Sequence, residues 1–472
     1  MTNATLPCAA PALTVPPPQL LERMDRPGPR YTSYPTADRF EPFDAGRLQE
    51  VFAQRRHLDE AGVATPLSLY VHVPFCESVC YYCACNKIVT KHHERAAPYL
   101  DALAAELDLV TDSIGWQRSV AQIHLGGGSP TFLSDAELSE LMAALHNAFF
   151  VTPQAEISIE VDPRTVTPAR LAHLRDLGFN RLSLGVQDFD PGVQQAVHRV
   201  QSFESVRDLM ASARELDFAS INADLIYGLP RQTPETFERT IAQIASLRPD
   251  RIALYAYAHL PERFKPQRRI VDSELPAPVQ RIEMLAAAMA GFQAEGYDYI
   301  GMDHFALPGD ALAVARREGR LHRNFQGYST HPDCDLVGLG VSAIGRIGTS
   351  YYQNAKTLPE YTAALEAGRL PVARGLTLAT DDLVRRDIIM ALMCHGRVEF
   401  AAIERAHGVR MAEAFADELK RLAPLAADGL VTLSADAIQV TSSGWFVVRA
   451  VALVFDRYLR DSASRERFSK IV

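Results

Sequence analysis

Six short runs rich in apolar and β-branched residues recur between Leu67 and Ala258: "LSLYVHV", "AQIHL", "ISIEV", "RLSLGV", "INADLIY" and "RIALYAYA". The segments between them have helical periodicity. In Glu94–Ser113, for example, Tyr99, Leu103, Leu107 and Val110 share one helix face. Strands alternating with helices predict βα units and a parallel sheet. Six units in succession predict an α/β chain built on a partial or complete (β/α) barrel, and a flat doubly wound sheet fits the rhythm nearly as well. The residues that follow the runs are Pro74-Phe75-Cys76, Gly126-Gly127-Gly128-Ser129-Pro130, Asp162-Pro163-Arg164, Gln187-Asp188-Phe189, Gly228-Leu229-Pro230 and His259-Leu260-Pro261. A parallel barrel builds its site from the loops at the C-terminal ends of its strands, so these cysteines, glycines, acids and amides read as one site.

The flanks differ from this middle. Nine of the 29 prolines fall in the first 45 residues. Proline lacks the backbone N–H that helices and central strands use, which predicts an extended N-terminal arm, taken here as residues 1–60. Its "RPGPRYTSYPTADRF" carries more aromatics and hydroxyls than a solvated linker, so it either packs on the surface or covers a site. The barrel with its extension is taken as 61–375. After Leu376 come helical stretches "TDDLVRRDIIMALM" and "MAEAFADELKRLAPLAADG", a β-like "LVTLSADAIQVTSSG" and a closing helix. This order predicts a mainly helical, winged-helix-like domain over 376–472. With no basic face, it reads as a lid or packing module and not as a DNA reader.

A net charge of −9 argues against a general nucleic-acid binder. No apolar run reaches the roughly 18 residues of a membrane span, and no signal-peptide core is visible. The expectation is a cytoplasmic monomer with no membrane or nucleic-acid partner. In a reducing compartment, clustered cysteines mean metal binding or catalysis, not disulfides. Four of the seven cysteines lie in "YVHVPFCESVCYYCACNK" as Cys76, Cys80, Cys83 and Cys85, while Cys8, Cys334 and Cys394 are scattered. A structural zinc site usually takes two separated C-x2-C pairs, and no second pair exists. A closed ferredoxin site takes four thiolates, commonly at C-x2-C-x2-C spacing. Three thiolates at C-x3-C-x2-C can hold three corners of a [4Fe-4S] cube and leave one iron open, as a catalytic centre requires.

This C-x3-C-x2-C loop after a first strand resembles that of the radical S-adenosylmethionine (SAM) superfamily. The ordered motifs "PRYTSYPT", "GGGSPT", "ISIEVDPR", "GFNRLSLGVQDFD", "DLIYGLP", "YAHLP", "IGMDHFA" and "RNFQGYST" narrow the resemblance to the oxygen-independent coproporphyrinogen III oxidases, also called coproporphyrinogen dehydrogenases, over about residues 30–472. The resemblance implies a (β/α) radical-SAM barrel, a [4Fe-4S] cluster on Cys76, Cys80 and Cys83, and one or two SAM molecules per chain. It implies that Cys85 does not ligate the cluster. Tyr70, Gly127, Glu160 and Ile344 match residues beside the first SAM. Tyr82, Gly128, Ser129, Gln187, Arg199, Asp224 and Ala258 match residues beside a second. Tyr82 stands where the family usually has phenylalanine, which keeps the aromatic face, and Ala84 where it has glycine, which bears on the close packing of that turn and not on the ligation.

The implied reaction starts from a 5′-deoxyadenosyl radical made from SAM at the cluster. The radical takes hydrogen from a propionate β-carbon of coproporphyrinogen III. Loss of CO2 and an electron leaves a vinyl group, and two such conversions give protoporphyrinogen IX in heme biosynthesis. The electron donor is not identified. Arg30, Arg323 and His304 lie in shared motifs and are candidates to meet the substrate's carboxylates, with an ordinary structural role as the alternative for each. The rival from the same superfamily is a heme-binding chaperone without this activity; Cys85 and the "RYTSYPT" arm favour the oxidase.

Overall fold

The computed structural model describes residues 13–63, 65–115, 118–331, 334–460 and 468–471. Cys8 and the start of the expected arm lie outside them. Each apolar run is a strand: β1 Leu67–Val73, β2 Ser119–Gly127, β3 Phe150–Val161, β4 Arg181–Gln187, β5 Ser220–Tyr227 and β6 Arg251–Ala256. They pair in parallel and in chain order. Crossovers between parallel strands are right-handed, so an order that never reverses keeps every connecting helix on one face. A doubly wound sheet would reverse its order at a switch point. The helices accordingly pack side by side: Ala96–Ile114 on Asp135–Ala148, and Phe203–Glu215 on Pro234–Leu247, which packs in turn on Pro278–Ala294. The sheet is therefore a curled, partial barrel, and the flat alternative is excluded.

The period of two along each strand sorts its residues. Leu69 and Val71 of β1, Ile157 and Ile159 of β3, and Leu182 and Leu184 of β4 are buried toward the helices. Their neighbours on the opposite face are Tyr70, His72, Ser158, Glu160 and Ser183, so polar and titratable groups turn into the barrel. The helix predicted over Glu94–Ser113 runs from Ala96 to Ile114, and all four residues of its expected face are buried.

Seven further strands extend the sheet to thirteen. Beyond β6 lie β7 Asp298–Gly301 and β8 His304–Ala306. Beyond β1 lie β9 Asp335–Leu339, parallel to it, then antiparallel β10 Ile344–Ile347, β11 Ser350–Asn354, β12 Val372–Thr377 and the two-residue strand Glu41–Pro42. Among the described residues no ladder joins the two ends of this sheet.

The arm is less extended than its prolines predict. Pro18 opens a helix, Pro18–Met24, because a ring at the first helical position removes only an N–H that has no partner there anyway. Ala45–Glu60 is a second helix, capped by the Asp44 carboxylate accepting from the Arg47 N–H. Between them the chain is extended, with Tyr31 and Tyr34 fully buried. The C-terminal region has helices Thr380–His395, Phe400–His407 and Ala416–Ala427 with an antiparallel three-stranded sheet of Arg397–Glu399, Ala437–Val440 and Val431–Leu433. The Arg449 guanidinium donates to the carbonyls of Pro29 (3.0 Å) and Lys470 (2.8 Å), clasping arm to C-terminus. No helix among the described residues is long and apolar enough to cross a membrane.

Candidate functional site

A cavity of about 500 Å³ opens at the C-terminal ends of the strands. Cys76, Cys80, Tyr82 and Cys83 from the loop after β1 line it, with Gly127, Gly128 and Ser129 after β2, Glu160 of β3, Gln187 of β4, Arg199, and Asp224 of β5. The expected site residues Tyr70, Ala258 and Ile344 are not in its wall.

The cysteine loop is held at both ends by backbone pairing. Ile88 N–H donates to the Pro74 carbonyl (2.7 Å) and Thr90 N–H to that of Cys76 (2.9 Å). Its middle is tied down by Tyr81 N–H to the Val197 carbonyl (3.0 Å) and by Lys87 Nζ to the Cys83 carbonyl (3.2 Å). Tyr70 acts on this loop from below. His72 Nε2–H donates to the Asn86 carbonyl (2.9 Å), which leaves Nδ1 to accept from the Tyr70 hydroxyl (3.0 Å). Ala258 lies on its other side: the Gln267 amide donates both to the Ala258 carbonyl (3.1 Å) and to that of Tyr82 (3.0 Å). Ile344, outside that wall, is partly buried against an apolar cluster of Phe40, Tyr351 and Leu378.

The glycine loop docks onto the end of β1. Gly128 N–H donates to the Val73 carbonyl and Ser129 N–H to that of Phe75, each at 2.8 Å. A Cβ on Gly128 would stand 2.6 Å from the carbonyl oxygens of both Pro74 and Phe75. That close approach of two backbones requires glycine. Gly127, at φ 118°, puts its N–H on Glu160 Oε2 (3.1 Å).

Charge is organised by depth. Removal from solvent opposes ionisation of Glu160, but the His124 hydrogen bond (3.4 Å) and charge, with the Gly127 N–H, hold its carboxyl below the ordinary value. Burial, then the nearby Glu160 charge, push Asp224 up to about 6. Burial also opposes ionisation of Asp162, and the guanidinium groups of Arg164 and Arg199 outweigh it. Arg199 Nη1 lies 3.4 Å and Arg164 Nη2 3.7 Å from Cys80 Sγ. Cys76 is pushed up to about 12 by burial and by its neighbours Cys83 and Cys80, whereas a hydrogen bond from Cys85, with Lys87 nearby, draws Cys83 down to about 6.

This donor set fits an iron–sulfur cluster better than a single ion. Its ligands are soft thiols, flanked by guanidinium and ammonium groups that offset anionic charge. Among the described residues, no three His, Cys, Asp or Glu side chains are placed to hold one metal ion. Asp162, Arg164, His72 and His124 have no role legible from the sequence. Asp162 and Arg164 had been visible as a strand end, but only the fold brings Arg164 to Cys80.

The chain matches the Radical SAM superfamily over residues 70–244 and the HemN C-terminal domain over 378–447. It is 49% identical to the oxygen-independent coproporphyrinogen III oxidase of Pseudomonas aeruginosa, covering 96% of this chain and 98% of that protein. The Escherichia coli protein of the same name is 48% identical over the same shares. The solved structure of Escherichia coli coproporphyrinogen III oxidase (HemN), described as a radical SAM enzyme, superposes with a TM-score of 0.87 at 48% identity, covering 91% of this chain and 98% of that one.

Proposed function

The chain belongs to the oxygen-independent coproporphyrinogen III oxidases, radical SAM enzymes, and we propose that it converts two propionates of coproporphyrinogen III to vinyl groups, giving protoporphyrinogen IX. One observation carries this reading: the three cysteines share a single cavity with the glycine loop, Glu160, Arg199 and Asp224. Cys76, Cys80 and Cys83 would hold a [4Fe-4S] cluster, with Cys85 outside its ligand set. When bound, the cluster and SAM supply the electron and the 5′-deoxyadenosyl radical that removes the propionate hydrogen.

The chain's own residues bind, orient and exclude water. Tyr70, Gly127, Glu160 and Ile344 serve the first SAM, with Glu160 taking its amino group or ribose. Tyr70 does so by fixing His72 and the cysteine loop. Tyr82, Gly128, Ser129, Gln187, Arg199, Asp224 and Ala258 form the region for a second SAM. Arg199 and Arg164 offset negative charge beside Cys80, and Asp162 orients both. The N-terminal arm and the domain from 376 onward close over the barrel, which keeps a carbon radical from water and oxygen. The protein acts as a cytoplasmic monomer and draws its electron from a separate donor. The heme-chaperone reading is disfavoured by family similarity that runs through both the arm and the C-terminal region.

Anaerobic turnover tests this. Reconstituted protein, SAM, a reductant and coproporphyrinogen III should yield 5′-deoxyadenosine and divinyl product together. Deoxyadenosine without tetrapyrrole product would discard the substrate. An intact cluster with tightly bound heme and no product would point to the chaperone.

A further inference from the structure

The structure separates the three cations that the shared motifs offer to a polycarboxylate substrate. Arg30 forms an ion pair with Asp303, and His304 Nδ1 lies 2.9 Å from the same carboxylate. Both are committed. Arg323 is not: it is only 9% exposed, its Nε and Nη1 have no acceptor among the described residues, and its guanidinium lies 4.6 Å over the Tyr328 ring. Buried N–H groups without an acceptor destabilise a fold, and they persist where a ligand supplies the missing oxygen.

Arg323 opens onto a second cavity, of about 270 Å³, apart from the cysteine site. Arg346, Arg386, His322, His331 and His395 also line it. The one acid among its described lining residues, Asp387, is bound by His407 Nε2 at 2.8 Å. Burial, with His322 and Arg316 nearby, holds His395 down to about 4, so the arginines supply the positive charge, which suits a carboxylate. A line of rings runs between the two cavities' walls. Tyr255, in the wall of the cysteine cavity, stands edge-on to His304 at 6.0 Å, and His304 stands edge-on to Tyr328 at 5.3 Å. In the cysteine cavity the guanidinium groups of Arg164 and Arg199 are already paired with Asp162.

We propose that the second cavity receives a carboxylate arm of the tetrapyrrole substrate on Arg323, which the rings of Tyr328, His304 and Tyr255 link to the wall of the cysteine cavity. The inference rests on the proposed function. A substrate with four carboxylate arms presents some away from the reaction, and among the described residues of these motifs Arg323 is the cation whose buried N–H groups lack an acceptor.

The test is fluorescence titration of the intact, anaerobically reconstituted protein with coproporphyrin III, the stable oxidised tetracarboxylate, and with its tetramethyl ester. The wild-type protein should prefer the acid. Arg323→Gln should weaken the acid about tenfold, leave ester binding unchanged and not lower Tm. Ala391→Phe, which fills the cavity with the guanidinium intact, should cause the same selective loss. Acid affinity at the wild-type level in both variants would overturn the proposal while leaving the proposed function standing. A fall in Tm with parallel loss of ester binding would make Arg323 structural and also overturn it. Succinate displacing the porphyrin acid mole for mole would mark a general carboxylate site, not a substrate site. A wild-type protein that does not distinguish acid from ester would remove the substrate class itself, and this inference with it.

Discussion

Cys76, Cys80 and Cys83 differ from Cys85 in what surrounds them, although all four thiols line one cavity. Arg199 and Arg164 approach Cys80, and Lys87 donates to the carbonyl of Cys83, whereas Cys85 interacts chiefly with Cys83 as its hydrogen-bond donor. Cys76→Ser, Cys80→Ser and Cys83→Ser should each abolish the cluster, and Cys85→Ser, which keeps a donor, should retain it. Iron and acid-labile sulfide per chain decide this; loss of iron in Cys85→Ser would refute three-thiolate ligation. Gly128 offers a second test. A methyl group there meets two backbone oxygens that belong to the cysteine loop's own anchor, so the clash has no flexible side chain to absorb it. Gly128→Ala should cost roughly 2–4 kcal/mol in chemical denaturation and weaken SAM binding in the same protein. Unchanged stability would mean that the loop can move away.

Among the elements, the helix Ala96–Ile114 does more than cover β1. Its Glu106 carboxylate accepts from Gly340 N–H, Asn354 Nδ2 and the Tyr361 hydroxyl, each at 2.6 Å. Tyr99 on the same face donates to the His72 carbonyl and accepts from Val341 N–H at 3.2 Å. The helix thus fixes the turn after β9 to the strand that carries the cysteine loop. Burial pushes Glu106 up to about 7, against those three hydrogen bonds. A carboxyl raised on folding favours the fold when protonated, so its contribution is full below its unfolded value and is lost as pH rises through the folded one. From pH about 4.5 to 8 that loss is at most roughly 3 kcal/mol. Glu106→Gln cannot titrate, so its stability deficit relative to wild type should shrink over this window. A constant gap in Tm across the pH series would contradict the assignment.

The same region shows where sequence reading succeeds and where it stops. The six parallel strands and Tyr99, Leu103, Leu107 and Val110 were legible because buried strands and amphipathic helices write their period into local sequence. The strands from Asp298 to Thr377 have three to six residues each and mostly form short antiparallel pairs, too short for a local period to announce them. The helix at Pro18 was hidden by prolines that only a helix start tolerates. Gln187 was legible as a strand-end residue, whereas Glu160 and Asp224 entered through the family resemblance. Arg164 and His124 acquire roles only through neighbours 84 and 36 residues away in sequence.

At the scale of the whole molecule, one buried side chain, Arg449, joins the N-terminal arm to the C-terminal segment. Arg449 is 5% exposed and donates to the carbonyls of Gly28, Pro29, Ser469, Lys470 and Ile471. Beside it, Gly28 and Ser469 pair through a backbone hydrogen bond of 3.0 Å, and Ile471 N–H donates to the Arg26 carbonyl at 3.0 Å. Tyr31 donates to Asp456 at 3.1 Å, while Arg30 reaches the barrel at Asp303, over Tyr255 in the cavity wall. The arm thus depends on the C-terminal region for its position, and the cavity's far wall depends on the arm. Arg449→Met keeps most of the side-chain volume but strips five carbonyls of a charged donor, a loss of about 3 kcal/mol. Hydrogen exchange should then rise together at residues 26–31 and 469–471, because the guanidinium binds carbonyls of both segments. Amides of β1 to β5, whose ladders do not involve either end, should keep their protection. Faster exchange confined to one segment would show that arm and C-terminus are anchored independently, and faster exchange throughout the barrel would show that Arg449 supports the whole fold and not this clasp.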